Sequence, residues 1–364
     1  MIIGLLPLYT VFFFQFISAP SPDIPVYIFS FVLFYYFLEN LKKATIEGFN
    51  LILILTLFIL YIKSTAISLV LIPIILFIIN FRLLSKNIGK TIGLSLSILI
   101  LFVTKNMIIC GVPFFPTKMF EVIKMDYAVP KSIQYFYSDQ LNYYGYFVDM
   151  NQYNSMTATD LFLRWLLLPK MNGLFNKISV LLVLIVPFFI YKFQNKKDFW
   201  IIYTLMLVQL VTLFLTSPQY RFLLNYIFFF LTFSLVCLIQ NKKTITFLLY
   251  FSLIPTLIVL FIPINLNHFS NNKFMLEVST FDFNNIIYPY KNTKNNIVFK
   301  SIHIGNLIYN SPVDENFFWS NGNGDLPCVN KEQINYFEKY FHIIPQMRTT
   351  NLKDGFYAKT ISDE

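Results

Sequence analysis

The chain has 364 residues, of which 56% are apolar, 19% aromatic and only 13% charged, with a mean hydropathy of +0.59. Soluble domains carry about a quarter charged residues, so this composition excludes an ordinary soluble protein and implies an integral membrane protein. The formal net charge of +9 is spread over short loops where membrane topology places it, which argues against nucleic acid as a partner.

In chain order, nine apolar segments can be drawn at 2–18, 24–39, 49–62, 66–81, 91–108, 178–193, 199–216, 222–239 and 244–263. Several fall short of the roughly 20 residues that a straight span needs. Residues 49–81 contain a single lysine, Lys63, and read as a hairpin of two short helices rather than one long tilted helix. Basic residues are retained in cytoplasmic loops. Lys42 and Lys43, then Arg82, Lys86 and Lys90, then Lys192, Lys196 and Lys197, then Lys242 and Lys243 occupy alternate loops and mark that side. The N-terminus is therefore expected in the cytoplasm. The opposite side receives the turns at Asp23, Lys63 and Arg221, a long loop, and everything after about residue 264.

The expected fold is an all-α integral membrane bundle of about nine transmembrane helices, with a large outer-face loop and a small C-terminal α+β extracytoplasmic domain. Its parts are a transmembrane block over 1–104, whose fifth span runs on to 108, the loop over 105–177, a second block of four spans over 178–264, and the domain over 265–364. Loops beyond roughly 15 residues are usually functional or disordered, and this one is too aromatic for disorder. Within it, Asp160 to Leu168 reads equally as an interfacial helix, with Trp165 beside Arg164, or as a buried loop helix. Tyr135, Tyr137, Tyr143, Tyr144, Tyr146 and Tyr153 suit stacking on sugars or an interfacial aromatic belt. In the tail, 296–304 and 355–361 read as strands, 321–324 as a turn, and Asn330 as the cap of an amphipathic helix carrying Ile334, Phe337 and Phe341. About 100 residues is small for an independent core, so the tail is expected to lean on the long loop.

Cys110, Cys237 and Cys328 share no metal-type spacing, and His268, His303 and His342 all lie in the tail. No cofactor and no metal is indicated, although a divalent cation is compatible with the carboxylates. There is no DxD pair, Gly-rich phosphate loop or G-x-S-x-G motif, so cytosolic nucleotide-sugar chemistry has no obvious home.

Several stretches recur in this order in a group of uncharacterised bacterial multi-spanning proteins: Ser18-Ala-Pro-Ser-Pro-Asp-Ile-Pro25, Lys105-Asn-Met-Ile-Ile-Cys-Gly-Val-Pro-Phe-Phe-Pro116, Met125-Asp-Tyr-Ala-Val-Pro130, Ser217-Pro-Gln-Tyr-Arg-Phe222, Trp319 to Cys328, and Lys353-Asp-Gly-Phe356. That group resembles GT-C-type glycosyltransferases, membrane enzymes that use polyprenyl-phosphate-linked sugars on the outer face. The resemblance covers nearly the whole chain and implies a multi-pass protein of the bacterial inner (cytoplasmic) membrane, working in envelope or capsule polysaccharide assembly. Its partners would be membrane lipid and a polyprenyl-phosphate-linked sugar. Members usually carry further N-terminal spans, including the loop that holds the catalytic acid, so the chain resembles a shortened member. Phe318 stands where relatives tend to have a cysteine, which removes a tail disulfide and leaves Cys328 a lone thiol, with Cys110 as an open alternative partner. A polysaccharide polymerase or ligase, and a non-catalytic membrane component or transporter, are the alternative readings.

Such chemistry needs cations for the phosphate, a carboxylate to activate an acceptor or bind a metal, and aromatic surface for sugar rings. For the phosphate the candidates are Arg221, whose planar fork suits it, Lys105 at the exit of its span, and Lys63 in its tight turn. For the carboxylate they are Asp23, confined between Pro22 and Pro25, and Asp126. The plainer alternatives are snorkelling for the three cations, a helix cap for Asp23 and a turn cap for Asp126. Asp160 reads as the cap of the Leu161 to Leu168 helix.

Overall fold

A computed structural model describes residues 22–41, 44–115, 125–194, 196–239, 241–261, 298–313 and 324–361. The expected span at 2–18, the loop residues Lys42 and Lys43, Trp319 and most of the 321–324 turn lie outside the described residues. The chain divides into two compact units, Met1–Ile100 with Gln140–Phe281, and Leu101–Asp139 with Asp282–Glu364.

The first unit opens with α1 (Asp23–Asn40) and α2 (Ile46–Ile62), followed by a tight 3-10 stretch, Ser64–Val70, and by α3 (Leu71–Ile79) and α4 (Phe81–Leu84). Next, α5 (Ile88–Cys110) leads the chain into the second unit and α6 (Lys131–Tyr144) leads it back. Two short helices follow, α7 (Met150–Ser155) and α8 (Ala158–Leu166), then α9 (Lys170–Phe193), α10 (Lys197–Thr216), α11 (Leu224–Leu238) and α12 (Lys242–Phe261). Three helical stretches are long and apolar enough to cross a membrane: Phe81–Cys110, α9 and α10.

Nine helices of spanning length are therefore not found among the described residues. The apolar helices Ile46–Ile62, Ser64–Ile79 and Leu224–Leu238 are shorter. At 1.5 Å per residue each rises roughly 25 Å or less, against a hydrocarbon core of about 30 Å. An apolar run in sequence sets the composition of a helix, whereas its length depends on where the backbone breaks. Lys63 makes such a break: its extended backbone (φ −150°, ψ 108°) ends α2, whose N-terminus is capped by the Thr45 hydroxyl accepting from Gly48 N. The chain then folds back, bringing the Phe49 and Phe77 rings to 6.0 Å, which is the hairpin expected for 49–81.

Because lipid is as apolar as leucine, helices in a membrane associate through close packing rather than escape from water. Phe49, Ile52, Leu53, Thr56 and Ile59 form the buried stripe of α2 at helical spacing. On α9 the corresponding stripe is Met171, Phe175, Ser179, Leu182, Val186 and Ile190. Nearly every residue of α11 from Leu224 to Ser234 is buried, so it forms the centre of the unit. Ring pairs fasten it to its neighbours: Phe34–Phe229 at 5.0 Å, Phe175–Phe228 at 5.8 Å and Phe199–Phe233 at 4.6 Å. Such pairs contribute about 0.5–1.5 kcal/mol each beyond burial.

The turn between α10 and α11 is clamped. Trp165 of α8, fully buried, donates from Nε1 to the Pro218 carbonyl at 2.7 Å and packs on Phe214 with ring centroids 4.9 Å apart. Gly145 lets this turn approach, since a Cβ there would lie 2.5 Å from Pro218 Cδ. Within the Asp160 to Leu168 segment Trp165 is buried, as the buried-helix reading has it, while Phe162, Leu163 and Leu167 are exposed. Its N-cap is Thr157 rather than Asp160, which serves as the reciprocal partner at the third helical position.

The second unit contains two antiparallel hairpins, β1 (Phe299–Ile304) with β2 (Leu307–Pro312) and β3 (Ile343–Met347) with β4 (Phe356–Thr360), and the helix α13 (Lys331–Phe341) between them in sequence. Strands were expected at the positions of β1 and β4, and Asn330 caps α13 by accepting from Glu332 N at 2.8 Å. Asn306, in the two-residue turn of the first hairpin, docks on the Met347 backbone of β3 through its side-chain amide, Nδ2 donating to the carbonyl at 2.8 Å and Oδ1 accepting from the N–H at 2.9 Å. The 125–139 stretch packs on this tail: Phe136 meets Phe341 at 5.3 Å and Tyr336 at 6.0 Å.

Candidate functional site

Within the first unit, three turns far apart in sequence meet around a small cavity. It is lined by Asp23 and Tyr27 of α1, Lys63 and Ser68 after α2, Gln209 of α10, and Arg221, Phe222 and Tyr226 at the start of α11, among others. Three of the five expected site residues, Asp23, Lys63 and Arg221, are therefore brought together.

Asp23 lies in the first turn of α1, where Pro22 occupies the cap position without a side-chain bond. Asp23 is therefore the first helical residue and not the N-cap. Fully buried, it forms an ion pair and hydrogen bond with Lys63 Nζ. An ammonium held against a carboxylate offsets part of the cost of taking both charges out of water. Burial, and then the nearby Arg221 guanidinium, pull the Lys63 ammonium below the ordinary lysine range, and the Asp23 carboxylate is its ion-pair partner.

Arg221 sits in the helical turn Tyr220–Phe222 before α11 and is half-buried. The Tyr27 hydroxyl donates to its carbonyl at 2.8 Å, tying α1 to this turn. Burial presses its guanidinium pKa down, with Tyr27, Tyr144 and Tyr220 acting in the opposite direction, and a guanidinium keeps its proton regardless. The two cations share one ring: Lys63 Nζ lies 4.3 Å and Arg221 Cζ 4.9 Å from the centroid of Phe222.

Below the charges lies a buried neutral network. Ser68 Oγ donates to Gln209 Oε1 at 2.6 Å and lies 2.9 Å from the Tyr226 hydroxyl. Sequence reasoning passed over Ser68, Gln209 and Tyr226. A lone glutamine inside an apolar helix was the available signal, because a polar side chain at membrane depth needs a partner inside the protein. The cavity's interior volume is about 10 Å³, room for about one water.

The other two expected site residues belong to the second unit. Lys105, in the last part of α5, has its Nζ 4.9 Å from the Phe102 ring centroid. Asp126 accepts from Arg348 at 2.5 Å with its side chain largely exposed, an ion pair within the second unit. Of the loop tyrosines, Tyr146 is buried against Trp165, while Tyr135, Tyr137 and Tyr144 are exposed. All three cysteines are free thiols. Among the described residues no group of three or more His, Cys, Asp or Glu side chains is placed to hold a metal.

Apolar helices of spanning length define a mostly helical membrane protein, with a buried charge cluster where three turns of its first unit meet. The chain belongs to the family described as Domain of unknown function (DUF8201), whose family model matches residues 1–228. That match includes Asp23, Lys63, Gln209, Arg221 and Tyr226. No curated protein and no solved structure matches the chain.

Proposed function

We propose that the Lys63–Arg221 site binds the phosphate of a polyprenyl-phosphate-linked sugar, and that the chain is a GT-C-like component of envelope or capsule polysaccharide assembly in the bacterial cytoplasmic membrane. The observation that carries this reading is the convergence of two cations from separate turns on one ring and one carboxylate. A phosphate is the small anion that an arginine fork and a lysine point charge together suit. The cavity itself admits only about one water, so the phosphate sits on the solvent-facing edges of the two cations. During transfer an acceptor hydroxyl oxygen bonds to the sugar's anomeric carbon and gives up its proton to water, the bond from that carbon to phosphate oxygen breaks, and the two cations stabilise the charge left on the phosphate oxygen. In this reading the shorter apolar helices also cross the bilayer, which thins locally around them. The N-terminus faces the cytoplasm, and the three turns and the tail face outward.

A non-catalytic lipid-phosphate-binding component is the second reading. It is favoured by Asp23, the one acid among the described cavity-lining residues, being buried and ion-paired with Lys63.

Binding of a polyprenyl monophosphate to the full-length protein in lipid nanodiscs tests the shared claim. Arg221→Lys keeps the charge and loses the fork, so affinity should fall by about 1–3 kcal/mol while the unfolding midpoint stays near that of the parent. Equal affinity in a folded Arg221→Lys protein refutes phosphate binding by Arg221. Transfer of labelled sugar to an acceptor separates the enzyme from the non-catalytic component.

A further inference from the structure

We infer that Gln209 is the positioning residue of this site: its side-chain amide holds the turn that carries Lys63 and the turn that carries Arg221 at a fixed separation. This inference rests on the phosphate-binding reading for its functional consequence and on the geometry alone for the staple itself.

Gln209 is fully buried in the middle of the apolar face of α10, between Met206 and Leu213. Its Nε2 donates to the Thr65 carbonyl at 2.8 Å and to the Phe222 carbonyl at 3.4 Å. Thr65 lies two residues after Lys63, and Phe222 directly follows Arg221. One amide nitrogen thus spends both of its hydrogens on the two cation-bearing turns. The Oε1 atom accepts from Ser68, in the same 3-10 stretch as Thr65, so the amide cannot rotate without breaking a bond at either end. Neither carbonyl is part of regular secondary-structure pairing that would hold the two turns together without it, because the first turn follows the break at Lys63 and the second precedes α11. Lys63 and Arg221 reach the Phe222 ring from opposite turns, so their spacing is set by whatever fixes those turns. A phosphate bridging two cations is sensitive to that spacing, since a misplacement of about 1 Å is enough to lose a well-aligned charge-assisted bond.

Gln209→Met keeps the volume and removes both donors. Two measurements on the full-length protein in nanodiscs test the inference. The first needs no lipid ligand: with the native cysteines replaced by serine, spin labels at Ser64→Cys and Gln219→Cys report the separation of the turns. The parent should give a narrow distance distribution and Gln209→Met a broadened or shifted one. An unchanged distribution overturns the staple. The second is polyprenyl monophosphate affinity in a double-mutant cycle with Arg221→Lys. Gln209→Met should weaken binding about tenfold, the scale of one well-placed hydrogen bond, in the parent and have little further effect where the fork is already lost. Additive losses, or parental affinity in a protein whose turns have moved apart, overturn the positioning role. If the parent fails to bind the lipid, the phosphate reading falls, and the staple stands or falls on the distance measurement alone.

Discussion

Lys63 occupies a turn in which burial and the Arg221 guanidinium both oppose its charge, and the Asp23 carboxylate is the counterweight. Removing that counterweight should show the balance directly. Asp23→Asn leaves a buried ammonium to lose its proton or its place, a change on the order of 3 kcal/mol. With its folded-state pKa depressed, Lys63 binds fewer protons in the folded protein than in the unfolded chain, so its contribution to stability grows as pH rises toward the ordinary lysine range. Asp23→Asn should show a lower unfolding midpoint than the parent at pH 7. The parent's midpoint should rise from pH 7 to pH 9, and Lys63→Met, which has no ammonium to titrate, should flatten that rise. A rise of the same size in Lys63→Met argues that Lys63 carries no such penalty. At this scale the sequence exposed the charged members of the site, because Asp23, Lys63 and Arg221 are conspicuous in short turns between apolar runs. Of the neutral residues, Gln209 gave the signal of a lone amide in an apolar helix, whereas Ser68 and Tyr226 were hidden, because a hydroxyl in an apolar segment shows its importance only when its partners are known.

Among the elements, the short helices of the long loop owe their starts to reciprocal caps. Asp149 with Gln152 opens α7, and Thr157 with Asp160 opens α8. The Thr157 side chain and then its backbone N–H, both bonded to Asp160, hold the Asp160 carboxyl below the usual carboxylate range. A depressed carboxyl contributes its stabilisation above its ordinary pKa and loses it as pH falls through the folded value. Amide protection at the start of α8, taken relative to the unstructured exchange rate at each pH, should fall below about pH 4. Thr157→Ala should lower it already at neutral pH, by removing a cap of about 1 kcal/mol. Unchanged exchange in Thr157→Ala would show that Trp165, and not the cap, holds this helix. The start of α8 was misplaced in sequence because Asp160 alone resembles a cap, and only the Thr157–Asp160 reciprocity reveals which residue bounds the helix. The Gly305–Asn306 turn was legible in principle, since it joins two alternating strands in the pattern of a two-residue hairpin. What could not be read was Asn306 docking onto β3, a contact between segments about forty residues apart.

For the whole molecule, the proposed orientation rests on basic residues in alternate loops, and accessibility in intact cells tests it. Burial raises the pKa of Cys328, which slows its labelling, so exposed introduced cysteines are better reporters. An impermeant thiol reagent should modify Asn151→Cys and Lys353→Cys and miss Asn195→Cys. Labelling of Asn195→Cys alone would invert the orientation. Composition by itself determined that the chain belongs in a membrane, because apolar content and charge scarcity are sums over residues that no arrangement alters. The sequence pattern favoured a reversal near Lys63 over one long tilted helix, and the extended Lys63 backbone is what makes it. Only the tertiary structure decided how long each helix is and which turns meet. Helix length is set where packing and backbone breaks end the hydrogen-bond ladder. The meeting of Asp23, Lys63, Gln209 and Arg221 is set by side-chain packing between helices separated by up to two hundred residues, a relation that local sequence pattern does not encode.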